Sequence, residues 1–556
     1  TFNYYSENNK VHMKSFDEYG ANGQFLQTFA WTNPNSVSQS QANDTYNAFN
    51  FFGDYEKTLG KHYLKGMIGY NQESKHTTGF NAGREQLISN DLGSLSYATG
   101  DRWVGSSDNS WATRSGFFRI NYGYDERYLL EVNGRYDLSS KFPKHDRAVF
   151  NPSFSAAWRL SNESWFKSWT NSFFDELKIR GSYGLVGSDE TGLSAGAQHF
   201  LYIDQVSLNN IGFTTGVDMN YTLYGPLVTN YAVVNGGWER VKKLDIGIDL
   251  ELFRQLTITA DYFNEKRYNI LLHREAWPES LGYYTAKPWS NKGKVDNWGI
   301  ELSVNWRKEF TKDLYVDFRG NFTYTENKYV NLDEPVYPYV WKTSTGKPLS
   351  RTTGYIAQGL FSSQEEIDNS PTQNLGSTVK PGDIKYRDVN GDGKIDGSDQ
   401  VMISPYGTTP RIQYGLGMNV TYKKFDFGVF FNGSAKRTIM ISGISPFGQS
   451  DYNVMQFIAD DYWSESNPNP NAKYPRLGLT SSQTANNTVA STYWMRNGNF
   501  IRFKTLELGY KFKYGRVYLN GDNIAVFSPF KLWDPELSWN AYPLQRTFNI
   551  GVQLNF

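Results

Sequence analysis

The sequence predicts an all-β chain, a transmembrane antiparallel β-barrel with long extracellular loops. Three observations carry this. Segments of about ten residues alternate apolar and polar side chains, their connections alternate between tight and long, and the composition joins many aromatics to a low mean hydropathy. The 556 residues include 39 Tyr, 37 Phe, 16 Trp and 50 Gly, with 17% aromatic residues and a mean hydropathy of −0.59. Aromatic girdles use Tyr, Trp and Phe, and a polar lumen lowers the mean hydropathy. No run approaches the roughly 20 apolar residues that a membrane-spanning helix needs. The absence of Cys excludes a disulfide scaffold and thiolate metal sites. A net charge of zero gives no basis for a nucleic-acid partner.

The strands follow from the alternation. In Tyr128–Leu138, Leu130, Val132, Gly134 and Tyr136 oppose Glu131, Asn133, Arg135 and Asp137. Lys243–Leu252 sets Leu244, Ile246, Ile248, Leu250 and Leu252 against Lys243, Asp245, Gly247, Asp249 and Glu251. A slip of one residue there would put three carboxylates into lipid. Leu256–Tyr262, Ile300–Arg307 and Thr505–Phe512 repeat the pattern. Arg546–Phe556 ends it, with Phe548, Ile550, Val552, Leu554 and Phe556 on one face. Tight connections are expected near 124–127, 253–255, 308–313, 423–425 and 513–515. Long ones are expected at 74–111, 188–236, 268–292, 328–408 and 439–497. Short periplasmic turns and long external loops give this asymmetry. Counting back from Phe556 gives about 17 strands, an odd number that cannot close with both ends on one side. Thr1–Asn9 has no basic region, apolar core or cleavage site, so an exported chain is expected to have lost an upstream portion.

One loop carries metal-ligand spacing. Asp388, Asn390, Asp392 and Asp396 stand at positions 1, 3, 5 and 9 of an EF-hand-type loop, with the Lys394 carbonyl at 7, Gly393 at 6 and Asp399 at 12. A calcium ion is the expected cofactor, and a structural clamp the expected role, since no flanking helices are evident. The six histidines, His12, His62, His76, His145, His199 and His273, show no ligand spacing. Phosphate-loop, zinc and nucleophile-elbow motifs are absent. Asp245, Asp249, Glu251 and Asp261 could pair as in a glycosidase, but lumen lining explains them more simply, and no enzyme activity is expected. Loop tryptophans offer flat faces among Asn, Asp and Arg that suit sugar rings or peptides, or that pack loops together. Trp103, Trp111, Trp277, Trp289 and Trp341 are the candidate ligand-binding residues.

The stretch Pro381-Gly-Asp-Ile-Lys-Tyr386-Arg-Asp388-Val-Asn-Gly-Asp-Gly-Lys-Ile-Asp396, followed by Pro410-Arg-Ile-Gln-Tyr414-Gly415, resembles the SusC-like family of TonB-dependent outer-membrane transporters. Tyr136-Asp137, Phe150-Asn-Pro-Ser-Phe154, Asn499-Phe-Ile-Arg-Phe503, Val517-Tyr-Leu-Asn-Gly521 and Asp534-Pro535-Glu536 resemble the same family. The resemblance implies a barrel of about 22 strands plugged by an N-terminal domain in the bacterial outer membrane, with lipid and lipopolysaccharide around it. Residues 1–556 are then the C-terminal barrel portion, residues 328–408 its long calcium-motif loop, and the plug and TonB box lie outside this chain. The implied function is TonB-dependent uptake of oligosaccharides or peptides. The implied partners are a SusD-like lipoprotein lid, TonB–ExbB–ExbD acting through the missing N-terminal part, and a second SusC–SusD pair. The alternatives are a siderophore or vitamin receptor, and a surface-binding or structural envelope protein that does not transport.

Overall fold

Backbone pairing organises the chain. The computed structural model describes residues 1–29, 32–170, 173–190, 201–233, 236–278, 280, 287–441, 454–478, 480–537 and 541–555. Sixteen strands form one antiparallel sheet in which each pairs with its neighbours in chain order. They are β1 (Phe2–Met13), β2 (Ser36–Leu59), β3 (His62–Glu85), β4 (Arg102–Tyr124), β5 (Tyr128–Ser139), β6 (Ala148–Arg159), β7 (Phe174–Ser188) and β8 (Glu239–Leu252). Then follow β9 (Leu256–His273), β10 (Trp289–Thr311), β11 (Leu314–Asn331), β12 (Ile412–Tyr422), β13 (Phe425–Ala435), β14 (Phe500–Phe512), β15 (Gly515–Phe527) and β16 (Thr547–Leu554). Among the described residues the count is even, one short of the expected 17 or so, so β1 starts and β16 finishes at the short-turn end and the expected odd parity does not hold. Phe556 lies outside the described residues.

Register fixes two faces. Across β7, β8 and β9 the rows Ile179–Ile248–Ala260 and Leu177–Leu250–Ile258 make an outer apolar surface, while Arg180–Gly247–Asp261 and Lys178–Asp249–Thr259 look inward. On β16, Phe548, Ile550 and Val552 share the outer face with Leu519 and Val517 of β15. The turns at the periplasmic end are short. At 125–126 and 253–254 both residues have positive φ, the twist that suits strands joined by a tight connection. One turn-side connection departs from this, because residues 160–173 carry a short helix, Ser164–Thr170.

Several expected loops are strand. β2 and β3 each run 24 residues and pair throughout, so at ~3.3 Å per residue and a tilt of about 45° they reach a height of roughly 55 Å. The lipid-facing band is about 25 Å tall, so β2–β4 stand well above it as a wall. The 74–111 loop therefore contracts to residues 86–101. Above the membrane both faces of the wall meet water, so the sequence Ser74–Arg84 needs no apolar alternation and hides its strand. In the same way β9 and β10 shorten the 268–292 connection to 274–288. The 188–236 connection contains its own hairpin, Gln205–Thr215 with Tyr221–Asn230.

The two longest external segments fold together. Residues 332–411, 436–441, 454–478 and 480–499 share a core of Ile384, Tyr386, Ile395, Ile441, Ile458, Trp463, Tyr474 and Trp494. A polar lattice runs through it. Gln373 donates to the Asn486 Oδ1 at 2.7 Å, Asn487 donates to the Asp383 carboxylate at 2.7 Å, and Arg476 pairs with Asp383 at 2.6 Å.

Ile248→Lys should cost about 2–4 kcal/mol, as a cation on the lipid face does near mid-membrane, and should reduce the heat-modifiable folded band on electrophoresis of outer membranes. Thr259→Lys, on the inner face at a similar level, should leave that band unchanged.

Candidate functional site

The inner face of the barrel divides by height. Its turn half is a lattice of paired charges: Arg180 meets Asp245 and Asp249 at 3.2 Å and Asp261 at 2.6 Å, and Lys178 meets Asp249 at 3.0 Å. Lys65 bridges Asp54 and Glu56, and Arg516 bonds Asp426 and Glu507. Of the four carboxylates that could have paired, Asp245, Asp249 and Asp261 are thus held by one guanidinium. A cavity of about 710 Å³ opens here beside Lys65, Arg119, Arg180 and Asp245.

The loop half holds a second cavity of about 530 Å³. Trp111, Thr113 and Ser115 of β4 share the inner face with Asn71 and Glu73 of β3 and with Arg135 and Asp137 of β5. Trp238, just before β8, completes the lining with Lys141 from the β5–β6 connection. Arg135 donates from Nε to Asp137 at 2.6 Å and from a terminal nitrogen to the Ser115 hydroxyl at 2.7 Å. Asn151 donates to the same carboxylate at 3.0 Å. Lys141, only 7% exposed, pairs with Glu190 at 3.0 Å and Asp189 at 3.5 Å and lies 5.6 Å from the Trp111 ring centre.

Of the five candidate tryptophans, two lie on this inner face of β4. Trp111 lines the cavity, and Trp103, 41% exposed, stands eight positions higher on the wall over Gly83. The other three are packed locally. Trp277 stacks under Arg274 at 4.9 Å, and Trp289 lies 3.6 Å from the His273 ring. Trp341 stacks on Tyr339 and donates to the Ser398 carbonyl at 2.8 Å. Trp238 was not singled out from the sequence. It lies in a connection, where alternation gives no face, and only its position before β8 brings it to the cavity.

The 388–399 loop is a tight turn organised by backbone amides that donate to its carboxylates. Gly391 and Gly393 take positive φ of 75° and 81°, and Asp388 accepts from both of their amides at 2.7 and 2.8 Å. Asp392 accepts from the Lys394 amide at 2.9 Å, and Asp396 from the Ser398 amide at 2.7 Å. Asp399 is fully buried and accepts from the amides of Val389 at 2.8 Å and Asp396 at 2.9 Å. The donor chemistry suits calcium, since a carboxylate offers about four lone-pair sites and these amides take only part of them. Among the described residues, however, no three His, Cys, Asp or Glu side chains are gathered as a metal site. Backbone amides orient the Asp388 and Asp399 carboxylates in this arrangement.

Residues 1–524 match the model of the family described as TonB dependent receptor-like, beta-barrel. The chain belongs to that family. The receptor barrel is 26% identical to TonB-dependent receptor P3 of Formosa agariphila, over 90% of this chain and 51% of that protein. It is 27% identical to TonB-dependent receptor SusC of Bacteroides thetaiotaomicron, over 92% of this chain and 50% of that protein. The chain thus spans about half the length of the curated relatives it matches. Its fold superposes on the RagAB peptide importer with a TM-score of 0.72 and 19% identity, over 94% of this chain and 56% of that one. The barrel is an outer-membrane structure of the TonB-dependent receptor family, a family of receptors, not enzymes.

Two outcomes follow for the 388–399 loop. Asp399→Ala strands buried amides at about 1–3 kcal/mol each, so limited proteolysis should cut near residues 388–399 in the variant and spare the wild type. The Ser398 amide and hydroxyl hold the Asp396 carboxyl below the usual carboxylate range. A lowered native pKa adds stability above the unfolded value that is lost as pH falls through the native one. Protection of the loop should therefore persist at neutral pH and fade in acid, below about pH 4.

Proposed function

We propose that this chain is the barrel of an energised importer that takes up oligosaccharides or peptides, captured together with a SusD-like lipoprotein and driven by TonB–ExbB–ExbD. The observation that carries this reading is the inner face. Its polar and charged side chains give a hydrophilic solute a wetted route behind an apolar, lipid-facing surface, and the wall of β2–β4 extends that route beyond the membrane. Likeness to SusC and the fold shared with RagAB, a named peptide importer, support it.

Native protein extracted from outer membranes in mild detergent tests the reading. Co-purification of a lipoprotein, together with cellular uptake that a protonophore abolishes, is the expected result. Solute binding at the surface with no energy-dependent uptake would favour a binding or structural envelope protein instead.

Calcium belongs to this proposal as a resident ion of the external loop body, on the strength of the two positive-φ glycines and the grip of Asp388 on both of their amides. Asp388, Asn390, Asp392, Asp396, Asp399 and the Lys394 carbonyl would hold it, and its charge would tie these oxygens together. Calorimetric titration should show saturable calcium binding that Asp388→Ala or Asp392→Ala weakens by tenfold or more, about 1.4 kcal/mol. No binding heat with full protease protection would show that the amide-held loop needs no ion.

A further inference from the structure

We propose that the outer face of β12–β15, beside the periplasmic turns, is a binding site for one anionic glycerophospholipid of the periplasmic leaflet.

The site starts from register. Tyr422, Phe425, Tyr510 and Val517 stand side by side in one row on the lipid face, close to the 423–424 and 513–514 turns, and Leu508 and Leu519 stand in the row above. Between the two rows lies an apolar groove of about 540 Å³, a volume in the range of small-molecule sites. Phe425 and Tyr510 meet at 5.1 Å along its wall. Tyr422, Phe425 and Leu508 remain exposed, because no part of the protein covers them. Asp426, which borders the groove, is turned to the lumen and bonded there by Arg516 at 3.0 Å. An acyl chain laid in such a groove buries more methylene surface than one passing a flat strand face.

The headgroup preference follows from the charge at the mouth. The turns that border the groove are Lys423-Lys424 and Lys513-Tyr514. All three lysines are exposed, and none is in an ion pair among the described residues. Other turns at this end are balanced: Lys61 pairs with Asp125 at 3.1 Å, Arg254 with Asp175 at 3.4 Å, and Lys312 is followed by Asp313. Lys423 Nζ lies 5.5 Å from the Tyr422 ring centre, and Lys513 Nζ lies 5.0 Å from that of Tyr514. The Lys423 ammonium is therefore held at the rim of the groove, with its methylenes along apolar surface and its charge at headgroup level. Unmatched lysines at a membrane surface attract anionic lipid. A phosphodiester whose head carries no amine meets them without opposition, whereas a choline or ethanolamine head brings a cation that they repel. The lipid is thus recognised at both ends, its chain by the groove and its phosphate by the rim.

The test is native mass spectrometry of the full-length protein, released from mild detergent after incubation with dioleoyl phosphatidylglycerol or dioleoyl phosphatidylcholine, which differ only in the headgroup. One phosphatidylglycerol should be retained, with an affinity about tenfold or more above that of phosphatidylcholine. Lys423→Gln combined with Lys513→Gln should lower that retention about fivefold or more and bring the two lipids together. Val517→Trp, which fills the groove and keeps the lipid face apolar, should lower retention of both. Lys312→Gln, in the turn that carries Asp313, should bind as wild type; an equal loss there marks general surface charge and overturns the site. Equal retention of the two lipids by the wild type overturns the headgroup preference. Selective retention that the lysine pair removes and Val517→Trp leaves intact means attraction to the rim alone and overturns the groove. Selective retention that neither variant changes places the lipid elsewhere on the barrel and overturns the proposal.

Discussion

The whole barrel depends on one constraint: in lipid, a backbone amide or carbonyl without a partner costs several kcal/mol. The chain meets it by pairing each strand with its neighbours, and pairing in turn imposes a period of two on the side chains. Once Ile246, Ile248 and Leu250 are committed to lipid, Asp245, Asp249 and Glu251 have no place but the lumen. The polar inner face is thus the necessary complement of the apolar outer one. That inner face carries a ladder of matched charges near the turns and a cavity lined by Trp111, Trp238 and oriented polar groups near the loops.

The matched charges have an energetic logic of their own. Arg180 sits among Asp245, Asp249 and Asp261, so these three inward carboxylates share one guanidinium within about a hydrogen bond's reach. Arg516 does the same for Asp426 and Glu507. These groups border an aqueous lumen, so the pairs settle side-chain orientation more than they add stability. The wall is consequently stiff in its chemistry as well as in its backbone.

Where lipid bears on the chain, its architecture was legible from sequence. Tyr128–Leu138 and Lys243–Leu252 gave both strand and face, because a wrong face there is prohibitively costly. Legibility ended where lipid ended. Ser74–Arg84 and Arg102–Trp111 pair with each other as strands, yet with water on both sides nothing selects alternation, and they read as loop. The candidate site divides in the same way. Trp111 could be named because it is a tryptophan among polar residues, whereas its placement beside Trp238 depends on β5–β8 folding round between them. Trp341 looked equivalent in sequence and proved to be a packing residue, since stacking on Tyr339 and the bond to the Ser398 carbonyl are contacts across the fold. The acidic loop showed its turn through Gly393, but not that Asp399 would be buried among amides.

The external body built from residues 332–411, 436–441, 454–478 and 480–499 has a consequence for how the molecule is made. Its core joins groups as far apart as Gln373 and Asn486, 113 residues distant in sequence, with the β12–β13 hairpin between them. Neither segment can complete that core until both have crossed the bilayer, so maturation of this body is the late step of biogenesis and takes place on the cell surface, beyond the reach of nucleotide-driven chaperones. Its buried amide and carboxylate lattice suits that itinerary. Gln373, Asp383, Asn486 and Asn487 keep the unfolded segments wettable during export, and they become specific only when they find one another outside.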